Sequence, residues 1–192
     1  MLSHKLSASL EDQLVFYGQF HLHRINIFIH YIFVPLLLWC FFAVLAHIPT
    51  IVVLDSLYVN AAFFASFLCI FYYTMMEVIA GLLISPLIIL MSFIANIFVL
   101  HYQDALQVII ILASLGLFFQ VLGHFLFEER RRPAFMGNGL EAFFTSLLVA
   151  PFFIFLELLF TFGYRPTLHR RIKEKIATGG STLRRRSAFV VK

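Results

Sequence analysis

Between Arg24 and Arg130 the chain contains no lysine and no arginine. A soluble fold of that length needs basic residues on its water-facing side. A set of lipid-facing helices does not, because each charge placed in hydrocarbon is costly. The acids in the interval are few: Asp55, Glu77, Asp104, Glu128 and Glu129. Basic residues pool instead at Lys5 and Arg24, at Arg130, Arg131 and Arg132, and from Arg165 onward. The whole chain is 61% hydrophobic and 12% charged, whereas soluble domains carry about 25% charged residues. These figures exclude a disordered protein, a nucleic-acid-binding domain and an ordinary soluble enzyme core. The net charge of +4 therefore reads as cytosolic flanking of apolar spans under the positive-inside rule, with contact to anionic lipid headgroups and no nucleic-acid partner.

Five apolar runs stand out, at about 25–48, 51–71, 78–100, 106–127 and 142–162. Each reaches the ~20 residues that a helix needs to cross a ~30 Å hydrocarbon core. Breaks fall at 46–50, 72–77, 101–105 and 128–139, the last rich in turn formers such as Pro133, Gly137, Asn138 and Gly139. Five crossings would put Arg130–Arg132 and the basic tail on opposite sides of the membrane. Pro151, inside the fifth run, removes a helix hydrogen bond and predicts a re-entrant hairpin there. The expected fold is thus all-α: a polytopic membrane helical bundle of four crossings plus a re-entrant or fifth helix. Residues 6–22 are amphipathic, with Leu10, Leu14, Tyr17 and nearby aromatics on one face, and predict an N-terminal interfacial helix. The expected organisation is a cytosolic interfacial segment at 1–24, a membrane-embedded catalytic domain at 25–165, and a basic, flexible cytosolic tail at 166–192. No signal-peptide pattern occupies the first 24 residues. Cys40 and Cys69 lie inside apolar runs and read as small core residues.

Eight histidines occur in a chain otherwise poor in polar groups. Ionisable residues at membrane depth are functional candidates. His47 and His101 fall at the far ends of their spans and read as interface residues. His21, His23 and His30 bracket the start of the first span, and His124 lies near the end of the fourth. With four alternating crossings these two ends share one side. Three or four imidazoles there suit a transition metal. His23, Asn26 and His30 share a helical face, whereas His21 and His30 are half a turn out of phase. His21 and His30 can meet only if the chain bends between them; spacing alone favours His23. Glu128, four residues after His124, is either a ligand, a partner of the imidazole N–H, or the ion-pair partner of the following arginines. Glu157, deep in the fifth run, is expected to face the bundle.

The string Tyr17-x-x-x-His21-x-x-x-x-Asn26-x-x-x-His30-x-x-x-x-Pro35 resembles the opening motif of a family of small fungal membrane proteins. A second string, Gln120-x-x-Gly123-His124-x-x-Phe127-Glu128 followed by Pro133-Ala134, resembles another motif of the same family. Leu148-Val-Ala-Pro151 with Glu157 is a weaker third. Phe33 stands where members commonly have glycine. The family is that of the 2-hydroxy fatty acid dioxygenases of phytosphingosine degradation. The resemblance covers about residues 10–165. It implies an Fe(II) cofactor held by His21, His30 and His124; the spacing leaves His23 as a possible additional ligand. It implies roles for Asn26 and Glu128 near the reaction, and a place in the endoplasmic reticulum membrane; the charge distribution and the four-crossing topology predict both termini cytosolic. The substrates it implies are a 2-hydroxy fatty acid and O₂. The reaction is RCH(OH)COOH + O₂ → RCOOH + CO₂ + H₂O, so the acid becomes one carbon shorter and no organic cofactor is needed. Arg24, Arg130 and Arg131 are candidates to hold the substrate carboxylate, since arginine pairs with it in two-pronged fashion. No closely spaced histidine pairs of the di-iron desaturase kind are present, so a mononuclear centre is expected. The competing readings are a non-catalytic lipid carrier or scaffold, whose histidines would merely cap helices, and a transporter, which would need ionisable groups through the whole bilayer depth.

Overall fold

The computed structural model of the protein describes residues 10–49, 52–54, 57–128 and 140–189. In chain order the elements are α1 (Leu10–Gly18), α2 (Arg24–Ala46), β1 (Val52–Leu54), β2 (Leu57–Val59), α3 (Ala61–Met76), α4 (Val78–His101), α5 (Ala105–Phe127), α6 (Leu140–Thr161) and α7 (Pro166–Phe189). The fold is a helical membrane bundle carrying one small antiparallel hairpin, with Val52 opposite Val59.

Three helices, α2, α4 and α5, are long and apolar enough to cross a membrane; a fourth candidate arises if the bent pair α6–α7 counts as one span. The run expected as a second crossing at 51–71 divides differently. Its first residues enter the hairpin, and α3 starts at Ala61, where the Asn60 side chain accepts from Phe63 N at 3.2 Å. α3 then has 16 residues, about 24 Å at 1.5 Å per residue. Glu77 both ends α3 and caps α4, its carboxylate accepting from Ala80 N. Asn60 Nδ2 donates to Asn96 Oδ1, tying the hairpin end of α3 to α4.

The interior mixes large and small side chains: Phe42, Tyr73 and Phe152 are fully buried beside alanines. Ala43, Ala62, Ala80, Ala95 and Ala105 are at most 1% exposed. Other bulky residues, such as Leu68, Leu82, Ile111 and Phe118, face outward. Lipid tails are as apolar as leucine, so burying leucine gains little against them. Close packing, with backbones approaching at the small residues, is what holds such helices together. α2 is the central helix, packed by α3, α4, α5 and α6.

α6 is continuous through Pro151. The chain turns after it instead, at Gly163 (φ 85°) and Arg165 (φ 44°), with α7 leaving at 116° to α6. Positive φ costs glycine nothing, and Gly163 supplies the corner. Arg165 reaches the Glu77 carboxylate at 3.4 Å, and Tyr164 donates to it at 2.9 Å. Further back on α6, Leu148 O accepts from Tyr73 OH at 2.8 Å, and Phe152 stacks on Tyr73. These partners all lie where α3 ends and α4 begins, so α6 is laid against one end of the bundle.

The segment expected as a flexible tail is helical through Phe189. Leu168 and Ile172 are buried and Ile176 packs beside them, spaced four apart on one face. α7 docks on α1. Glu11 takes Lys175 at 2.8 Å and Arg171 at 3.3 Å, and the Lys175 ammonium holds the Glu11 carboxyl below its ordinary value. α1 and α7 therefore lie on the same side of the bundle.

Candidate metal centre

α2 and α5 run antiparallel, which brings the first turns of α2 beside the last turn of α5. His30 is in the second turn of α2 and His124 in the last turn of α5. His21 lies in the connection between α1 and α2. That connection is the bend the spacing required. α1 stops at Gly18, Phe20 N donates to Tyr17 O and His21 N to Gly18 O, and α2 starts only at Arg24. The change of direction removes the half-turn phase difference between His21 and His30.

The three rings meet. Their centroids are 4.5 Å apart for His21–His30, 4.8 Å for His21–His124 and 5.0 Å for His30–His124. Each pair is edge-to-face rather than stacked. One nitrogen from each lies within 4.8 Å of the other two, and all three donor groups are buried. Burial pushes His21 down to about 4, which keeps its imidazole neutral at pH 7, the form that binds a metal.

The hydrogen bonds choose the tautomer. His21 Nδ1–H donates to Tyr17 O at 2.9 Å and His30 Nδ1–H to Asn26 O at 2.8 Å. A carbonyl only accepts, so each Nδ1 carries the proton and each Nε2 keeps its lone pair. This is the arrangement in which one ring nitrogen is oriented by a backbone partner and the other is left for a metal. His124 Nδ1 is buried with no hydrogen-bond partner. Buried imidazole nitrogens without a partner are unfavourable for packing alone. They suit a cation, and an all-imidazole donor set suits a first-row transition metal.

Glu128 secures this end of the bundle. It is buried at 3% exposure, and its Oε1 accepts from Leu22 N at 2.9 Å, His23 N at 3.0 Å and Asn26 Nδ2 at 3.0 Å. Its partners are thus the turn that follows His21 and the first turn of α2, not an imidazole. Among the described residues it makes no ion pair with an arginine. Asn26, fully buried, spends its amide on Glu128 and its backbone carbonyl on His30. Gly123 permits this: a Cβ there would stand 2.6 Å from Asn26 Oδ1.

The remaining expected residues fall elsewhere. His23 is exposed, caps α2 by accepting from Ile25 N at 3.3 Å, and stacks on Phe127; it is not in the three-ring group. Arg24 is exposed at the start of α2. Arg130 and Arg131, with Arg132, lie outside the described residues. His47 and His101 are exposed at the opposite end of the bundle, each bonded to the carbonyl four residues back. Glu157 is partly buried. Sequence reasoning passed over Phe153, which is buried and packs against both Tyr17 at 5.4 Å and His21 at 5.8 Å. Nothing marks one phenylalanine among 25. It also gave no role to Gln120, buried one turn before His124.

These features define a polytopic helical membrane protein with a buried three-histidine group able to hold one metal ion. The chain belongs to the family described as 2-hydroxy-palmitic acid dioxygenase Mpo1-like, whose family model matches residues 7–162. It is 31% identical over 177 residues to the Saccharomyces cerevisiae protein 2-hydroxy-palmitic acid dioxygenase MPO1, an alignment spanning 91% of this chain and 94% of the yeast protein. No solved structure matches the chain.

Proposed function

We propose that the chain is an Fe(II)-dependent dioxygenase that shortens 2-hydroxy fatty acids by one carbon with release of CO₂, in sphingolipid breakdown. The observation that carries this reading is the meeting of His21, His30 and His124, set beside the relative's name. These three residues would hold the iron. When bound, iron(II) supplies open positions for the oxygens of a 2-hydroxy acid and for O₂, and the redox chemistry that joins them.

The protein's own residues prepare that chemistry. The carbonyls of Tyr17 and Asn26 orient two of the imidazoles. Glu128 and Asn26 hold the turn and helix that carry them. Phe153 and Tyr17 exclude water from one side of the cluster. Arg24, exposed at the start of α2, offers a cation for the substrate carboxylate, and Arg130 and Arg131, which follow Glu128 in the sequence, are the further candidates. The acyl chain runs inward along the bundle, each methylene gaining about 0.8 kcal/mol by leaving water. The substrate supplies all four electrons that reduce O₂, since RCH(OH)COOH + O₂ balances against RCOOH + CO₂ + H₂O.

The membrane is that of the endoplasmic reticulum, with both termini cytosolic. The packing of α1 on α7 supports a common side for the two ends, and their basic residues support the cytosolic one. Metal analysis and oxygen uptake on purified protein test the whole. About one iron per chain and uptake driven by 2-hydroxypalmitate but not by palmitate is expected. A metal-free protein, or uptake indifferent to the hydroxyl, refutes the reading.

A further inference from the structure

Five buried side-chain atoms among the described residues have no hydrogen-bond partner, and three of them lie along the seam between α2 and α5: Asn26 Oδ1, His124 Nδ1 and Gln120 Nε2. His124 belongs to the three-ring group and Asn26 borders it. Gln120 has had no role so far. It is 6% exposed. An amide donor buried without a partner is costly, so it calls for an occupant.

The register of the seam says where that donor stands. Gly123 meets Asn26 and Ile29, and Gly116 meets Leu37 and Phe33. Gln120, between the two glycines, is therefore level with His30. It is four residues before His124 and on the same face of α5. It lies about 6 Å farther from the membrane surface than His124. Level with His30 on the seam, Gln120 offers N–H groups.

We infer that Gln120 is the residue that recognises the C2 hydroxyl of the substrate, its Nε2–H donating to the hydroxyl oxygen. This rests on the dioxygenase reading. A fatty acid with its carboxylate at headgroup level and its tail in the core presents C2 inward of C1. Its C2 oxygen then lies on the Gln120 side of the cluster and its carboxylate on the surface side. An unsubstituted acid brings no oxygen to that donor and leaves it unpaired, which disfavours that acid.

The test uses the iron-loaded full chain and its Gln120→Met variant, which keeps length and removes the donor. KM for 2-hydroxypalmitate and the inhibition constant of palmitate are measured together, with iron content and melting temperature alongside. The expected result is that KM for the hydroxy acid rises about 10- to 100-fold. The palmitate constant, iron content and melting temperature hold or improve, because an unpaired polar group has been removed. Gln120→Asn, which draws the donor back by one methylene, should fall between. If both ligands weaken equally, if neither changes, or if the Met variant melts lower and loses iron, Gln120 is structural or solvated and the inference fails. Should wild-type protein neither hold iron nor consume 2-hydroxypalmitate, the dioxygenase reading fails as well, so the two failures are distinguishable.

Discussion

Leu22 N donates to Glu128 Oε1 across 2.9 Å, although 106 positions separate the two residues in the chain. The same oxygen accepts from His23 N and Asn26 Nδ2. One carboxylate at the end of α5 therefore fixes both the turn that follows His21 and the start of the helix that carries His30. Glu128→Ala should cost about 2–4 kcal/mol, since three N–H groups lose their acceptor, and should lower iron content. Glu128→Gln keeps an acceptor oxygen and should retain most of both. Melting curves and metal analysis of the two variants check this.

The three imidazoles should act as a unit. His21→Ala, His30→Ala and His124→Ala should each abolish stable iron binding, and double variants should be no worse than single ones. His23→Ala should keep its iron and lose only the cap on α2, about 1 kcal/mol. Iron stoichiometry across the series separates the four positions; a His23→Ala protein without iron would contradict the assignment.

Gly123→Ala adds one methyl carbon where Asn26 Oδ1 stands 2.6 Å away. The Asn26 side chain is short and its amide is tied to Glu128, so relief must come from that bond or from the α2–α5 spacing. A destabilisation of about 1–3 kcal/mol is expected, together with reduced turnover. Gly163→Ala, with open space around it but φ of 85°, should cost about 1 kcal/mol from backbone strain alone and leave turnover unchanged.

Removing the metal should loosen the fold through linkage. An ion at ~100 times its Kd adds about 3 kcal/mol to the bound state. A strong chelator should therefore lower the melting temperature of wild-type protein and leave that of His124→Ala unmoved.

The packing of α1 against α7 puts these two helices on one side of the bundle. Glycosylation acceptor tags at residue 1 and residue 192 should be modified together or not at all, and under the cytosolic reading not at all. Modification at one end only would contradict the joint docking of Glu11 with Arg171 and Lys175.

Much of this protein is legible in its sequence because lipid imposes a coarse rule. Charge is excluded from the spans, and the interval between Arg24 and Arg130 is enough by itself to specify a helical membrane bundle. The alternation of crossings likewise brings His30 and His124 to one side. What composition leaves open is local. The apolar run at 51–71 looks like one helix, but Asn60 caps a shorter one and leaves a hairpin before it. Pro151 looks like a break, yet the chain reverses at Gly163 and Arg165. The amphipathic spacing of Leu168, Ile172 and Ile176 is present in the sequence, but a face has no meaning until α1 covers it.

The centre divides along the same line. Residue type and span order determined which imidazoles were available and at which end of the bundle. Whether His21 or His23 joined the group depended on the turn after Gly18, and that turn is held by Glu128 from the other side of the chain. Its contacts there are mainly with backbone N–H groups, which nearly every residue carries and no sequence pattern records. Only tertiary structure decides such a contact, because its partners are chosen by distance in space rather than by chemistry written into neighbouring letters.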